Sequence, residues 1–417
     1  MQGIQDRVVV TGMGTVNALA ADVSRFAAAL LRGECGIGPI TLFDTAAFRT
    51  HNGAQVKDFQ PRKTIPAEFS LKRMSRSDCL GLAAALEALA QAGLAPVPEG
   101  LREEMGVVIG GGAGGLLEAE TAFSDYLKRG ARSARFSRLA PLCCASTANH
   151  LATKFNLWGP KTTLMTACSS GATAIGLARD LIRAGNARAM IAGGTEPLSR
   201  MTYSSFNALQ AVDPGFCRPF SGNRAGLTLG EGAGILILES LESARDRGAN
   251  ILGEILGYGV TCDSHHMTAP DVGASGAARA MRAALADAGL APEAVDYINA
   301  HGTATPLNDL METRAIKEVF GRRAWRIPVS STKSMHGHTL GASGAIEGVI
   351  ALLAISEGFI PPTIHCETPD PECDLDYVAA GARRAQPEVV LSNSFAFGGN
   401  NTTVVFGRFR EEGRRHG

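Results

Sequence analysis

The chain repeatedly runs a short β-rich segment into glycine and then into an alanine-rich helix, and few folds accommodate that rhythm. Residues 7–11 lead into Gly12-Met13-Gly14, 105–109 into Gly110-Gly111-Gly112, and 189–192 into Gly193-Gly194, with a further strand predicted at 164–166. Helix-period apolar residues occupy 26–31 and 80–91, closed by Gly33 and Gly93. The order restarts after residue 250: a strand at 251–256 with Gly257, a helix at 277–288 with Gly289, strands at 297–300 and 329–331, and a helix at 342–356. This is α/β organisation with two halves of similar element order, so we expect a duplicated unit: 1–250, then 251–411, with a short tail at 412–417. No Pro-rich or low-complexity linker divides the halves, which predicts tight packing and a site at their junction.

Forty basic and 40 acidic residues balance, with no like-charge run beyond the Arg414-Arg415 tail, which argues against a nucleic-acid surface. No uninterrupted apolar run reaches membrane-spanning length, and the first dozen residues lack a leader pattern, so 8–10 is predicted to be a strand. Nine cysteines without paired-ligand spacing argue against a disulfide framework or a zinc ribbon and fit a reducing cytoplasm.

Cys168 follows the strand predicted at 164–166 and opens a helix carrying Ala172, Ile175, Leu177, Ala178, Leu181 and Ile182 on its apolar positions. A thiol there feels the positive end of the helix dipole, which favours thiolate, and free N–H groups nearby can hold an oxyanion. A buried structural cysteine is the bland alternative, but Ser169, Ser170 and Gly171 make poor core and good pocket lining. His301 ends the strand at 297–300 and enters Gly302-Thr303-Ala304-Thr305-Pro306. His338 lies in His336-Gly337-His338-Thr339-Leu340-Gly341 before a helix, mirroring Cys168. Both are expected at the junction; no carboxylate or cysteine follows His336 and His338 at a metal-ligand spacing, so no metal is expected. Lys333 ends an apolar strand, where its ammonium needs a partner that Glu347 on the next helix can supply, the pair orienting the two histidines. The stretch Ser392-Asn393-Ser394-Phe395-Ala396-Phe397-Gly398-Gly399-Asn400-Asn401 precedes a strand at 402–406; it is either a glycine-bearing hairpin turn or a loop presenting an N–H to Cys168, with Phe397 as a gate. Gly12-Met13-Gly14 with Asn17, and 110–115, are not nucleotide loops: one lacks the third glycine, the other the Lys-Ser/Thr ending.

On Thr166-Ala167-Cys168-Ser169-Ser170, His301-Gly302-Thr303-Ala304-Thr305-Pro306, Lys333-Ser334, Gly337-His338-Thr339-Leu340-Gly341 and Phe397-Gly398-Gly399, in that order, the chain resembles the elongating β-ketoacyl-acyl carrier protein synthases of the thiolase superfamily, fatty acid or polyketide type. The resemblance covers nearly the whole chain. It implies a five-layered α-β-α-β-α fold, a dimer with itself or with a chain-length-factor subunit, and decarboxylative condensation without cofactor. It further implies that Cys168 carries the acyl chain, that His301 and His338 stabilise an enolate, and that Thr303 and Thr305 contact phosphopantetheine. The N–H groups of Cys168 and Phe397 would form the oxyanion hole. Lys72 and Arg73, and less directly Arg132 and Arg135, would dock the acidic carrier protein. Ala113 stands where the family often has a bulky aliphatic residue, implying room for long or rigid chains, opposed by Phe206.

Ser221, Ala396 and Asn400 depart from the family pattern, where Asp, Gly and Thr are usual, and point to a specialised member. A degradative thiolase would need a second cysteine in the C-terminal glycine loop, whereas Cys366 and Cys373 lie in a Pro-rich connection. His338 stands where the chain-initiating synthases carry asparagine, and Cys168 argues against a non-catalytic, tunnel-shaping partner subunit.

Overall fold

The computed structural model describes residues 7–132 and 135–411; the tail at 412–417 lies outside the described residues. Ten strands form the main sheet: β1 (Val8–Asn17), β2 (Met105–Gly110), β3 (Lys161–Leu164), β4 (Ala189–Glu196), β5 (Gly232–Ser240), β6 (Gly253–Cys262), β7 (Tyr297–Asn299), β8 (Val329–Ser330), β9 (Val389–Ala396) and β10 (Asn400–Gly407). In space they run β8-β7-β9-β10-β6-β1-β5-β4-β2-β3. From either end inward the pairings repeat, parallel, parallel, antiparallel, antiparallel. The two sets meet through β1 and β6, antiparallel, at Val9 opposite Glu254 and Val10 opposite Gly253. This is the duplicated architecture that element order predicts.

Helices α1 (Val23–Arg32), α2 (Arg76–Gln91), α3 (Leu116–Arg129), α4 (Ser146–Phe155), α5 (Ser170–Arg183), α6 (Arg200–Ala208), α7 (Ser275–Ala288), α8 (Pro306–Phe320) and α9 (Ser343–Glu357) fill the layers. Helix α2 covers β1 and β5 from outside, α7 covers β6 and β10, and α5 and α9 pack together between the two sets of strands. Asp22 caps α1 at one end and Gly33, in the left-handed region, at the other; a Ser75–Asp78 capping box starts α2. Helix α9 is buried on every side from Ser343 to Ile355 because both sets of strands and α5 press on it.

Three strands expected to stop at glycine continue through it. β1 runs on to Asn17, β4 to Glu196 and β6 to Cys262. The glycines there serve helix approach: a Cβ on Gly12 would lie 2.1 Å from the Ala88 carbonyl oxygen on α2, and one on Gly257 would lie 2.2 Å from that of Ala284 on α7. The same device thus recurs at matched places in the two halves. β5, and β9 over 389–396, carry no alternation because both faces are buried, so period-2 patterning cannot reveal them. Leu340–Glu357 is long enough, and apolar enough on average, to span a bilayer, but Glu347 interrupts the run and 83% of it is buried inside the fold. It is a core helix.

Candidate active site

β3 ends at Leu164, two residues short of expectation, after pairing with Gly110, and the chain turns through Ala167, whose φ of 52° places a non-glycine residue in the left-handed region. Serine side chains hold this turn: Ser170 Oγ donates to the Ala167 carbonyl at 2.7 Å and accepts from Thr166 N–H at 2.9 Å, and Ser169 Oγ donates to the Thr166 carbonyl at 2.8 Å. The short 3-10 turn Ala167–Ser169 then feeds α5. Gly171 is required by the second half: a Cβ there would lie 2.9 Å from the Ala345 nitrogen and from the Gly341 carbonyl oxygen.

The second half repeats this turn at Leu340–Ala342 before α9, with Leu340 at φ 47°. The element matching Cys168 is therefore Gly341. His338 lies just upstream of the matched turn, which corrects the direct mirroring expected from sequence. Its backbone forms a parallel bridge with first-half residues, its N–H meeting the Thr228 carbonyl at 2.6 Å and its carbonyl accepting from Gly230 N–H at 2.9 Å. The Leu340 N–H donates to His338 Nδ1 at 3.3 Å, and Ser343 Oγ lies 2.9 Å from the same atom. Nδ1 is thus an acceptor, so in the neutral ring the proton sits on Nε2. His301 follows β7; its N–H and that of Gly302 donate to the two oxygens of Glu312 on α8, each at 2.8 Å. The His301 and His338 rings meet edge to face with centroids 5.3 Å apart.

Burial first, then the Lys333 charge, holds both His301 and His338 well below the usual imidazole range, so both rings are neutral. Burial pushes the Cys168 thiol up to about 11; the Lys333 charge and the N–H groups of Phe397 and of Cys168 itself pull the other way. The resting site therefore holds a thiol, and burial overrides the helix-start effect that the sequence led us to expect. Lys333, 1% exposed, ion-pairs with Glu347 on α9 and sits behind both histidines and Cys168.

Two cavities meet at Cys168. One, of about 240 Å³, is lined by Cys168, His301, Thr303, Thr305, His338 and Phe397. The other, of about 280 Å³, is lined by Ala113, Leu116, Cys168, Glu196, Phe206 and Leu340. Phe206 and Phe397 border both and stack on one another, centroids 5.7 Å apart and planes 16° apart, as a partition. The segment 392–401 resolves into the end of β9, a turn at Phe397–Gly399 and the start of β10, so it is a hairpin that also aims an N–H at Cys168. Asn400 Nδ2 donates to the Phe397 carbonyl at 3.4 Å, Ala396 lines the first cavity, and Ser221 is knitted to Thr368 at 3.2 Å. Lys72, Arg73, Arg132 and Arg135 are exposed and line neither cavity, and Cys366 and Cys373 also stand apart from both. The described residues contain no group of three or more His, Cys, Asp or Glu suited to a metal ion.

Residues 5–244 match the family described as Beta-ketoacyl synthase, N-terminal domain, and 252–367 match Beta-ketoacyl synthase, C-terminal domain. The chain belongs to the β-ketoacyl synthase family. It is 46% identical over 414 residues to 3-oxoacyl-[acyl-carrier-protein] synthase 2 of Synechocystis, covering 97% of this chain and 98% of that one. Among solved structures it resembles the ishigamide ketosynthase/chain length factor, with TM-score 0.92, 37% identity, and 97% and 99% coverage. A type II polyketide ketosynthase, AntDE, solved with its acyl-carrier protein AntF, follows with TM-score 0.89, 32% identity, and 97% and 99% coverage.

Two buried carboxyls of this synthase fold escaped the sequence reading. Glu312 carries the His301 loop, and Glu196, at the end of β4, reaches three backbone N–H groups. A lone glutamate in a strand reads as a surface residue; only its place beside Gly193-Gly194, where a strand is buried on both faces, could have flagged Glu196.

Proposed function

We propose that this chain condenses an acyl group held on Cys168 with malonyl-acyl carrier protein, giving a 3-oxoacyl-carrier protein two carbons longer, in fatty acid, polyketide or aryl-polyene synthesis. The observation that carries this is the meeting of two cavities at one buried thiol, with two neutral histidines facing only one of them.

In the first half-reaction the Cys168 sulfur attacks the acyl thioester carbonyl. A C–S bond forms, the carrier's thiol leaves, and the Cys168 proton goes with it. The Cys168 and Phe397 N–H groups, already directed at the sulfur, hold the oxyanion. The acyl chain lies in the cavity of Ala113, whose small side chain leaves room for long or rigid chains, with Phe206 standing at the entrance. The malonyl arm then enters past Thr303 and Thr305. Loss of CO2 leaves an enolate, whose oxygen takes a hydrogen bond from His338 Nε2–H and a second from His301. Its carbon attacks the acyl carbonyl, a C–C bond forms, and the bond between the acyl carbon and the Cys168 sulfur breaks, the thiolate taking one proton from solvent. Lys333, paired with Glu347, keeps both rings neutral and therefore able to donate without a fixed positive charge.

The carrier protein docks on exposed basic residues, with Lys72 and Arg73 foremost and Arg132 and Arg135 beside them. The working unit is a dimer, either of this chain or with a chain-length-factor subunit, the latter as in the ishigamide ketosynthase/chain length factor neighbour. We assign 1–250 to the half bearing the nucleophile and 251–411 to the half bearing the histidines. Nine unpaired cysteines, three of them exposed, support a cytoplasmic site of action. Incubation with acyl- and malonyl-carrier protein tests the reaction: the carrier's mass should rise to that of the 3-oxoacyl product with the wild-type chain and not with His338→Ala. Product at the wild-type rate from His338→Ala would overturn the assignment.

A further inference from the structure

Glu196 ties two loops of the acyl-cavity wall together, Gly112–Ala113 and Leu340–Gly341, in a way the condensation scheme does not use. Its carboxylate, 1% exposed, accepts from Gly112 N–H at 2.9 Å and Ala113 N–H at 2.5 Å in one loop, and from Gly341 N–H at 2.9 Å in the turn that follows His338. Gly341 adjoins Leu340, and Leu340 does two things at once: its side chain lines the acyl cavity while its N–H donates to His338 Nδ1. Leu340 does so at φ 47°, a conformation a branched side chain holds only when neighbours enforce it. Gly341 packs closely on the same loop: a Cβ there would lie 2.5 Å from Glu196 Oε2 and 2.7 Å from the Gly111 Cα.

We infer that Glu196 is a positioning residue that links the acyl-cavity wall at Gly112–Ala113 to the Leu340–Gly341 turn, so that an acyl chain in the cavity sets the alignment of His338. The inference rests on the condensation reading and deepens it. An acyl chain long enough to press on Ala113 and Leu340 shifts both anchors of one carboxylate, and the shift reaches His338 through a single N–H. Chain length is thereby read in the second half-reaction as well as in the first. One carboxylate oxygen accepts from each of two loops, so an amide in its place turns an N–H2 group towards at least one donor. An aspartate keeps the charge but is one methylene too short to span both loops.

The test loads Cys168 with short and long acyl groups, verifies the adduct by intact mass, and then measures single-turnover condensation with malonyl-carrier protein for wild type, Glu196→Gln and Glu196→Asp. We expect both variants to acylate, to condense at least tenfold more slowly with little change in the malonyl-carrier protein concentration giving half-maximal rate, and to lose the wild-type dependence on chain length. In the wild type, backbone hydrogen exchange in 110–116 and 337–343 should change together on loading a long chain. Adducts that form in Glu196→Gln and condense with wild-type rate and chain-length dependence overturn the inference while leaving the condensation reading intact. So does exchange that changes in 110–116 alone, whether or not the variants fold. Failure of the wild type to form any adduct overturns both.

Discussion

Removing the Lys333 ammonium while keeping its bulk, as in Lys333→Met, separates two roles the lysine plays. Lys333 is 1% exposed and Glu347 0%, and Glu347 Oε2 has no hydrogen-bond partner among the described residues. Loss of the cation leaves a buried carboxyl whose pKa burial already raises, and breaking such a pair costs about 3–5 kcal/mol. The double substitution Lys333→Met with Glu347→Leu removes both charges and should return to within about 1 kcal/mol of wild type, since apolar replacement of a whole buried pair is close to neutral. Activity should not return with it. The Lys333 charge lowers the pKa of His301 and His338, so its loss raises both, protonates a larger fraction of the rings at a given pH, and moves the acid limb of condensation to higher pH. Chemical denaturation followed by fluorescence and circular dichroism reports the first effect, and a pH–rate profile of the double variant the second. A single variant as stable as wild type, or a double variant with an unmoved acid limb, would refute the reasoning.

Three other outcomes follow from the site. With its thiol pushed up to about 11, Cys168 should react with iodoacetamide about tenfold faster per pH unit from pH 7 to 10, because only the thiolate attacks; a plateau near pH 9 would contradict this. Lys333→Met should slow that reaction at each pH, since the lysine charge lowers the thiol pKa. Ala113→Phe narrows the cavity of about 280 Å³ beside Cys168 and should abolish acylation by long chains while sparing short ones, read by intact mass against a chain-length panel; unchanged use of long chains would place the acyl group elsewhere.

Much of this arrangement is legible in the residues, and the gaps have physical causes. Glycine and alanine patterning exposes the repeated strand–helix order, and the polar, glycine-flanked settings of Cys168, His301 and His338 mark them against a core background. Strand ends at Gly12 and Gly257 were misplaced because a glycine that admits a helix looks, in sequence, like a glycine that makes a turn. β5 was missed because burial on both faces erases alternation. The helix start at Cys168 is visible locally, whereas the burial that outweighs its pull towards thiolate is built by segments distant in sequence, such as the Phe397 turn that borders both cavities beside it. Glu196 and Glu312 are hidden for the same reason: the donors they accept from are backbone N–H groups, which carry no residue identity, and for Glu312 also Asn393, which lies far along the chain.

The most direct test of the account is peptide mapping of the chain after incubation with an acyl-carrier protein. The account predicts one acyl group per chain, on the peptide containing Cys168, discharged when malonyl-carrier protein is added and absent in Cys168→Ala. Acylation at the exposed Cys35, Cys143 or Cys262, or an adduct that persists in Cys168→Ala, would contradict it.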